Sequence, residues 1–208
     1  MDRDLKGKIM VSLLLLLTVT AVSLFSQELT DTSAIAKSTS DAYAIARRNP
    51  DIAVIMSHQS MSASRKLDYK KGIADASLAL GMAYLAKYNP GDSAFFYNAQ
   101  ALSLYEETED RAGMGRACYG LSYVYSFRGD VPSSEQYANR ALRCFEEAGD
   151  NRGIINILNV LSYHARQRQD LEAAKGFLER AVATAREVRD TLPLADATNS
   201  LGNLYKEM

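Results

Sequence analysis

The sequence predicts an all-α chain, built as a solenoid of antiparallel helix pairs. Three observations predict it. Small residues recur at an interval of 40, as Ala101, Ala141 and Ala181, and before them as Ala94, Ser134 and Ala174. Aromatic residues keep the same interval at Tyr97, Tyr137 and Phe177. A second register runs through Leu80, Leu121, Leu161 and Leu201, each followed by a small residue: Gly81, Ser122, Ser162 and Gly202. A fixed period in the range of roughly 20–50 residues marks stacked units, none of which can bury its apolar face alone.

The elements follow in order. Lys6 and Lys8 form a positive segment ahead of an apolar stretch from Ile9 to Phe25, with an unbroken leucine run from Leu13 to Leu17. Small residues follow, with Ala21-Val22-Ser23 or Ser26-Gln27 as cleavage points. This is the layout of a secretory signal peptide. Its length sits at the lower edge of what spans a bilayer, so residues 1–26 read as a signal peptide or an N-terminal anchor. Either way residues 27–208 are expected outside the cytoplasm, periplasmic or membrane-associated and facing the periplasm. Residues 27–34 form a polar leader, and 35–208 the repeat domain of about four helix pairs and one terminal helix.

The first pair spans Ser38 to Arg48 and Pro50 to Asp68. The second runs from about Gly72 to Asp110 with its turn at residues 88–92. The third runs from about Ala112 to Asp150, turning at Gly129-Asp130. The fourth runs from about Arg152 to Asp190, turning at Gln169-Asp170, and a last helix begins near Pro193. The joins are marked by Asp110, Asp150 and Asp190. Pro50, Pro90 and Pro132 fall in turns or first turns, where a missing N–H costs nothing. Gly129 suits a left-handed helix stop, and Asp92, Asp130 and Asp170 suit N-caps. Ala76, Leu80 and Tyr84 lie four apart on one helical face.

The pattern Leu121-Ser122 with Tyr125, then Gly129-Asp130, Ser134 and Ala141-Leu142, resembles the tetratricopeptide repeat. The period is longer than that family's usual 34 residues. An acidic join followed by glycine, Asp110 to Gly113 and Asp150 to Gly153, stands where a proline is usual. Ala165 departs from the usual aromatic and Gln169 from the usual glycine. The resemblance implies a right-handed superhelix whose concave groove binds peptides or extended protein segments. Together with the signal-like N-terminus, it resembles the N-terminal regions of exported bacterial sensor and regulator proteins.

Composition excludes several functions. Of 24 basic residues, removing Arg3, Lys6 and Lys8 leaves 21; of 25 acidic residues, removing Asp2 and Asp4 leaves 23. A net charge of −2 with no basic stripe speaks against nucleic acid. His58 and His164 are the only histidines, and no second ligand stands a helical turn away, so no metal or other cofactor is expected. His164 reads as a surface or groove residue. The pairs Glu106-Glu107 and Glu146-Glu147 recur at the repeat interval, which points to a solvated face and not an acid/base pair. Cys118 and Cys144 fall on the two helices of one unit. Helix axes pack about 8–10 Å apart, while a disulfide needs Cα atoms about 4.4–6.8 Å apart, so both read as buried thiols.

With the leucine and tyrosine sets assigned to the core, the groove falls to residues two before and two after each leucine, and to flanking turns. These are Arg116, Tyr119, Tyr123 and Phe127 in the third unit, and Asn156, Asn159, Tyr163 and Arg166 in the fourth. Asn199 and Asn203 follow in the last helix. The second unit offers Leu78, Met82 and Leu85, so the groove grades from apolar to polar. Asn carries both a donor and an acceptor, and Tyr and Arg are favoured anchors.

The expectation is therefore a non-enzymatic repeat module that binds a protein or peptide segment. Its role would be the extracytoplasmic sensory or interaction part of a bacterial signalling protein, or a periplasmic scaffold for an envelope complex. An enzyme using the repeats as a platform finds no support in the residues. The last helix keeps Leu201, Gly202 and Tyr205 for a following helix, so either a longer natural chain or self-association through that helix is expected.

Overall fold

The computed structural model describes residues 29, 31–87, 91–189 and 191–208. The signal-like segment 1–26, the turn at Tyr88 to Pro90 and the join at Asp190 lie outside the described residues. Nine helices follow one another among the described residues: α1 (Thr32–Ile45), α2 (Pro50–Lys66), α3 (Lys70–Ala86), α4 (Gly91–Glu107), α5 (Arg111–Phe127), α6 (Val131–Ala148), α7 (Asn151–Gln167), α8 (Leu171–Glu187) and α9 (Thr191–Glu207). No strand occurs among them.

Each helix packs on the next in sequence, and the odd-numbered helices also meet one another, α1 on α3, α3 on α5, α5 on α7 and α7 on α9. The result is a helical solenoid with an inner layer of first helices and an outer layer of second helices. The side on which neighbours approach most closely is the concave one, so α1, α3, α5, α7 and α9 line it.

The repeating positions are the core. Leu80, Leu121 and Leu161 are buried on the inner layer, and Ala101, Ala141 and Ala181 on the outer one. A continuous apolar seam runs from Ala74 on α3 to Ala197 on α9. Small residues let the backbones close, and aromatic rings fill the wedge. Tyr84 stacks on Tyr97 with centroids 5.6 Å apart, and Tyr125 on Tyr137 at 5.4 Å. In the fourth unit the buried Ala165 replaces the tyrosine, and Phe177 packs beside it with Leu178 and Leu204.

The joins are built by one device. Asp110 accepts a hydrogen bond from the backbone N–H of Gly113 at 2.8 Å, and Asp150 from that of Gly153 at 2.9 Å. Each carboxylate satisfies one of the free donors at a helix start. The glycine is required by the ring behind it. A Cβ on Gly113 would lie 2.4 Å from the Tyr105 ring, and one on Gly153 2.4 Å from that of Phe145.

Four expectations are corrected. First, α1 starts at Thr32, not Ser38, because Asp31 caps it through the N–H of Ala34 and the helix buries Ile35, Thr39 and Ala42. Part of the polar leader is therefore helical. Second, Asp92 is not an N-cap but lies in the first turn of α4, where it pairs with Arg128 at 2.8 Å. Third, α9 begins at Thr191, with Pro193 accommodated in its first turn. Fourth, Leu78 belongs to the core and not to an open groove, because α1 packs across α3 and covers it.

The carboxylate pairs are exposed, and their ion pairs lie both between units and within them. Glu106 pairs with Arg140, and one interval later Glu146 pairs with Arg180. Glu107 pairs with Lys70, and Glu147 with Arg111. Each of these exposed pairs is worth no more than about 1 kcal/mol; those of Glu106 and Glu146 join second helices of neighbouring units, and those of Glu107 and Glu147 join the two helices of one unit.

Candidate functional site

A concavity of about 680 Å³ lies on the inner layer between α5 and α7. Its walls come from matching positions of two successive units. Tyr119, Ser122, Tyr123 and Phe127 stand on α5, and Asn156, Asn159, Tyr163 and His164 on α7. Two side chains on one helix face reach the same cleft when they lie three or four apart. This is why Tyr119 and Tyr123, and Asn156, Asn159 and Tyr163, appear together.

The two tyrosines form one wall. Their ring centroids are 5.0 Å apart, and the Tyr119 hydroxyl donates to that of Tyr123 across 3.4 Å. Burial, and then the neighbouring Tyr123, push the Tyr119 phenol up, so it stays a neutral donor. Phe127 and Tyr163 are largely exposed at 64 % and 50 %, which leaves two aromatic faces open to a partner at the rim.

The floor carries polar groups with unused capacity. Asn159 donates its amide to the Ile155 carbonyl at 3.1 Å, and its Oδ1 is buried without a hydrogen-bond partner. The Ser122 hydroxyl is likewise buried and unpartnered. Such groups cost roughly 1–3 kcal/mol each when left unmade. His164 is buried and so is not a surface residue, but it lines the cleft, the groove alternative of the expectation. The Ser134 hydroxyl donates to the Ser122 carbonyl at 2.8 Å. Its single proton is then used, so the contact of 2.9 Å to His164 Nε2 has the imidazole as donor. Burial lowers the His164 pKa and keeps the ring neutral.

A second pocket of about 360 Å³ adjoins the first and shares Tyr119 and Asn156 with it. Its remaining lining includes Tyr43, Arg47, Met82, Arg116, Phe145, Asp150 and Arg152. Arg116 thus stands beside the cleft, not inside it. Arg166 is elsewhere: it clamps the Glu207 carboxylate through Nε, at 3.0 Å, and Nη2, tying α7 to α9. Asn199 and Asn203 line a separate concavity of about 580 Å³ along α9.

Of the residues expected in the groove, the structure brings together Tyr119, Tyr123, Asn156, Asn159 and Tyr163, with Arg116 adjacent. It separates Arg166, Asn199 and Asn203. Sequence reasoning missed Ser122 as a cleft residue, and Arg47 and Arg152 as neighbours of Arg116. Ser122 could have been found, since it occupies the recurrent small position facing the next unit. Arg47 and Arg152 belong to turns and helix starts, whose side chains no periodicity orders.

Among the described residues no group of three or more His, Cys, Asp or Glu side chains is placed to hold a metal ion. Cys118 and Cys144 are free and buried, and burial pushes the Cys118 thiol up to about 12.

No protein-family model matches the chain, and no curated protein matches it in sequence. Among solved structures it is similar to the crystal structure of BtubC (BKLC) from P. vanneervenii. The two share 17% identity, with 84% of this chain and 81% of that chain covered and a TM-score of 0.52. At that identity the likeness is one of fold, and it agrees with a helical repeat architecture over most of the chain.

Proposed function

We propose that the chain is a non-catalytic, tetratricopeptide-like module that binds an extended protein or peptide segment along its inner layer. The observation that carries this reading is the α5–α7 cleft. It combines exposed aromatic faces, Phe127 and Tyr163, with buried polar atoms that lack partners, Ser122 Oγ and Asn159 Oδ1. A peptide offers what such a cleft needs, apolar side chains for the rim and N–H groups for the acceptors below. Peptide display against the full chain should yield binders that Tyr119→Ala and Tyr163→Ala weaken by roughly tenfold or more, the size of a central aromatic anchor. Selected peptides that bind both variants as well as the native chain would refute the assignment.

The module is the extracytoplasmic interaction or sensory part of a bacterial signalling protein in this reading. Support comes from the sequence of residues 1–26, with its basic start and leucine run. The mature chain should begin near Gln27 and fractionate outside the cytoplasm. Mass spectrometry that finds Met1 intact on soluble cytoplasmic protein would rule export out.

A further inference from the structure

Two arginines on inner helices and one in the turn after α1 line one pocket. Arg47 stands in the turn after α1, Arg116 on the inner face of α5, and Arg152 in the first turn of α7. Arg47, Arg116 and Arg152 line this pocket together with the Tyr43 and Tyr119 rings. None of the three makes an ion pair or hydrogen bond with another described residue, although most other arginines of the solenoid do.

The acidic groups nearby are already engaged. Asp150, the one carboxylate in the lining, caps α7 by accepting from Gly153. On the far side of Arg116, Asp75 is held by Lys71 and the Tyr105 hydroxyl, and Asp110 by Lys71 and Gly113. Three cations against one committed anion leave the pocket electropositive within a chain that is slightly acidic overall. A guanidinium matches an oxyanion with two parallel hydrogen bonds. Three of them around a pocket also lined by Tyr43, Tyr119 and Phe145 would balance the charge of a bound anion.

We propose that Arg47, Arg116 and Arg152 form an oxyanion site that takes an acidic side chain of the bound segment, whose neighbouring residues fill the adjacent α5–α7 cleft. The inference rests on the peptide-binding reading and extends it to ligand class. The shared walls, Tyr119 and Asn156, make the two pockets one continuous path. A segment with an acidic residue beside an aromatic or amide-bearing one fits both halves. The oxyanion is a carboxylate of Asp or Glu, or the phosphate of a phosphorylated residue, and the same guanidinium geometry serves either.

The test uses the full chain and fluorescein-labelled pools of random dodecapeptides read by anisotropy. The pools carry Asp/Glu, phosphoserine, Asn/Gln or Lys/Arg at fixed central positions. The acidic or the phosphoserine pool should bind more tightly than the amide pool, and the stronger of the two names the source of the oxyanion. Arg47→Gln, Arg116→Gln and Arg152→Gln should each cut the acidic-to-amide affinity ratio by roughly tenfold, the value of one hydrogen bond to a charged partner. The thermal midpoint checks that each variant folds. Equal binding of the acidic and amide pools, with a ratio that no arginine variant moves, would overturn the oxyanion site while leaving the cleft reading intact. Inorganic phosphate that raises the native midpoint but not that of Arg116→Gln, with no pool bound, would overturn the peptide part and with it the proposed function. Preference for the Lys/Arg pool would overturn the site outright.

Discussion

At the residue scale, the polar groups of the interior tell most. Asn98 on α4 is buried and wedged between two glycines, since a Cβ on Gly81 or on Gly120 would lie 2.4 or 2.1 Å from its amide. One amide hydrogen goes to the Ala94 carbonyl at 2.8 Å, while Oδ1 has no conventional donor. His164 has the more testable consequence. Its folded pKa lies below the ordinary value because burial disfavours the charged ring. The unfolded chain therefore binds the proton first, and stability falls as pH drops below about 6.5. The loss should be seen between about pH 7 and pH 5, above the carboxylate range. His164→Gln keeps an N–H for Ser134 but cannot titrate. Urea midpoints of the native chain should fall across this window, while those of the variant stay level. His58, the only other histidine, is exposed and serves as background. Parallel slopes for both proteins would show that His164 is not the group responsible.

At the scale of the element, helix ends repeat as faithfully as helix faces. Glu109, Gly149 and Arg189 stand 40 apart, and all three adopt left-handed backbone, with φ of 55°, 67° and 53°. Gly129 and Gln169 form a second such pair, at 74° and 63°. Only glycine takes this conformation without strain, and an L-residue loses roughly 1–2 kcal/mol there. Glycine returns part of that through its larger unfolded-state entropy, about 0.5–1 kcal/mol. Glu109→Gly should therefore stabilise the chain by about 0.5–1 kcal/mol net, read as a higher urea midpoint at unchanged slope. A lowered midpoint would mean that the Glu109 side chain has a role its exposure hides.

On the level of the whole molecule, stability is a chain of neighbour contacts. A solenoid has no central core, so each seam carries its own share of the folding free energy. Ala141 is fully buried in the seam shared by α5, α6 and α7, with Cys118, Cys144 and Leu158 in the same apolar cluster. Ala141→Leu should overpack it and destabilise by about 1–3 kcal/mol. The damage stays local in a nearest-neighbour array, so unfolding should become less cooperative and hydrogen exchange should speed up first in α5 to α7. An unchanged denaturation midpoint would refute the packing register.

Much of this was legible beforehand because it depends on local period. Leucines and alanines at one interval determine which faces are buried, and a one-step helical pattern determines that the units are helices. Tyr119 and Tyr123, and Asn159 and Tyr163, could be placed in one groove because they flank the core leucines Leu121 and Leu161 on a known helical face. The sequence by itself thus determined the helical class and the sequential stacking of helix pairs seen among the described residues. Tertiary structure alone decided what shares a pocket. Leu78 was lost to the core because α1 crosses α3, Arg166 was drawn away by Glu207 on α9, and Arg47 joined Arg116 and Arg152 across more than 100 residues of chain. The physical reason is the same in each case. Periodicity specifies direction around one helix axis, while the distance between side chains on different helices is set by how the units stack.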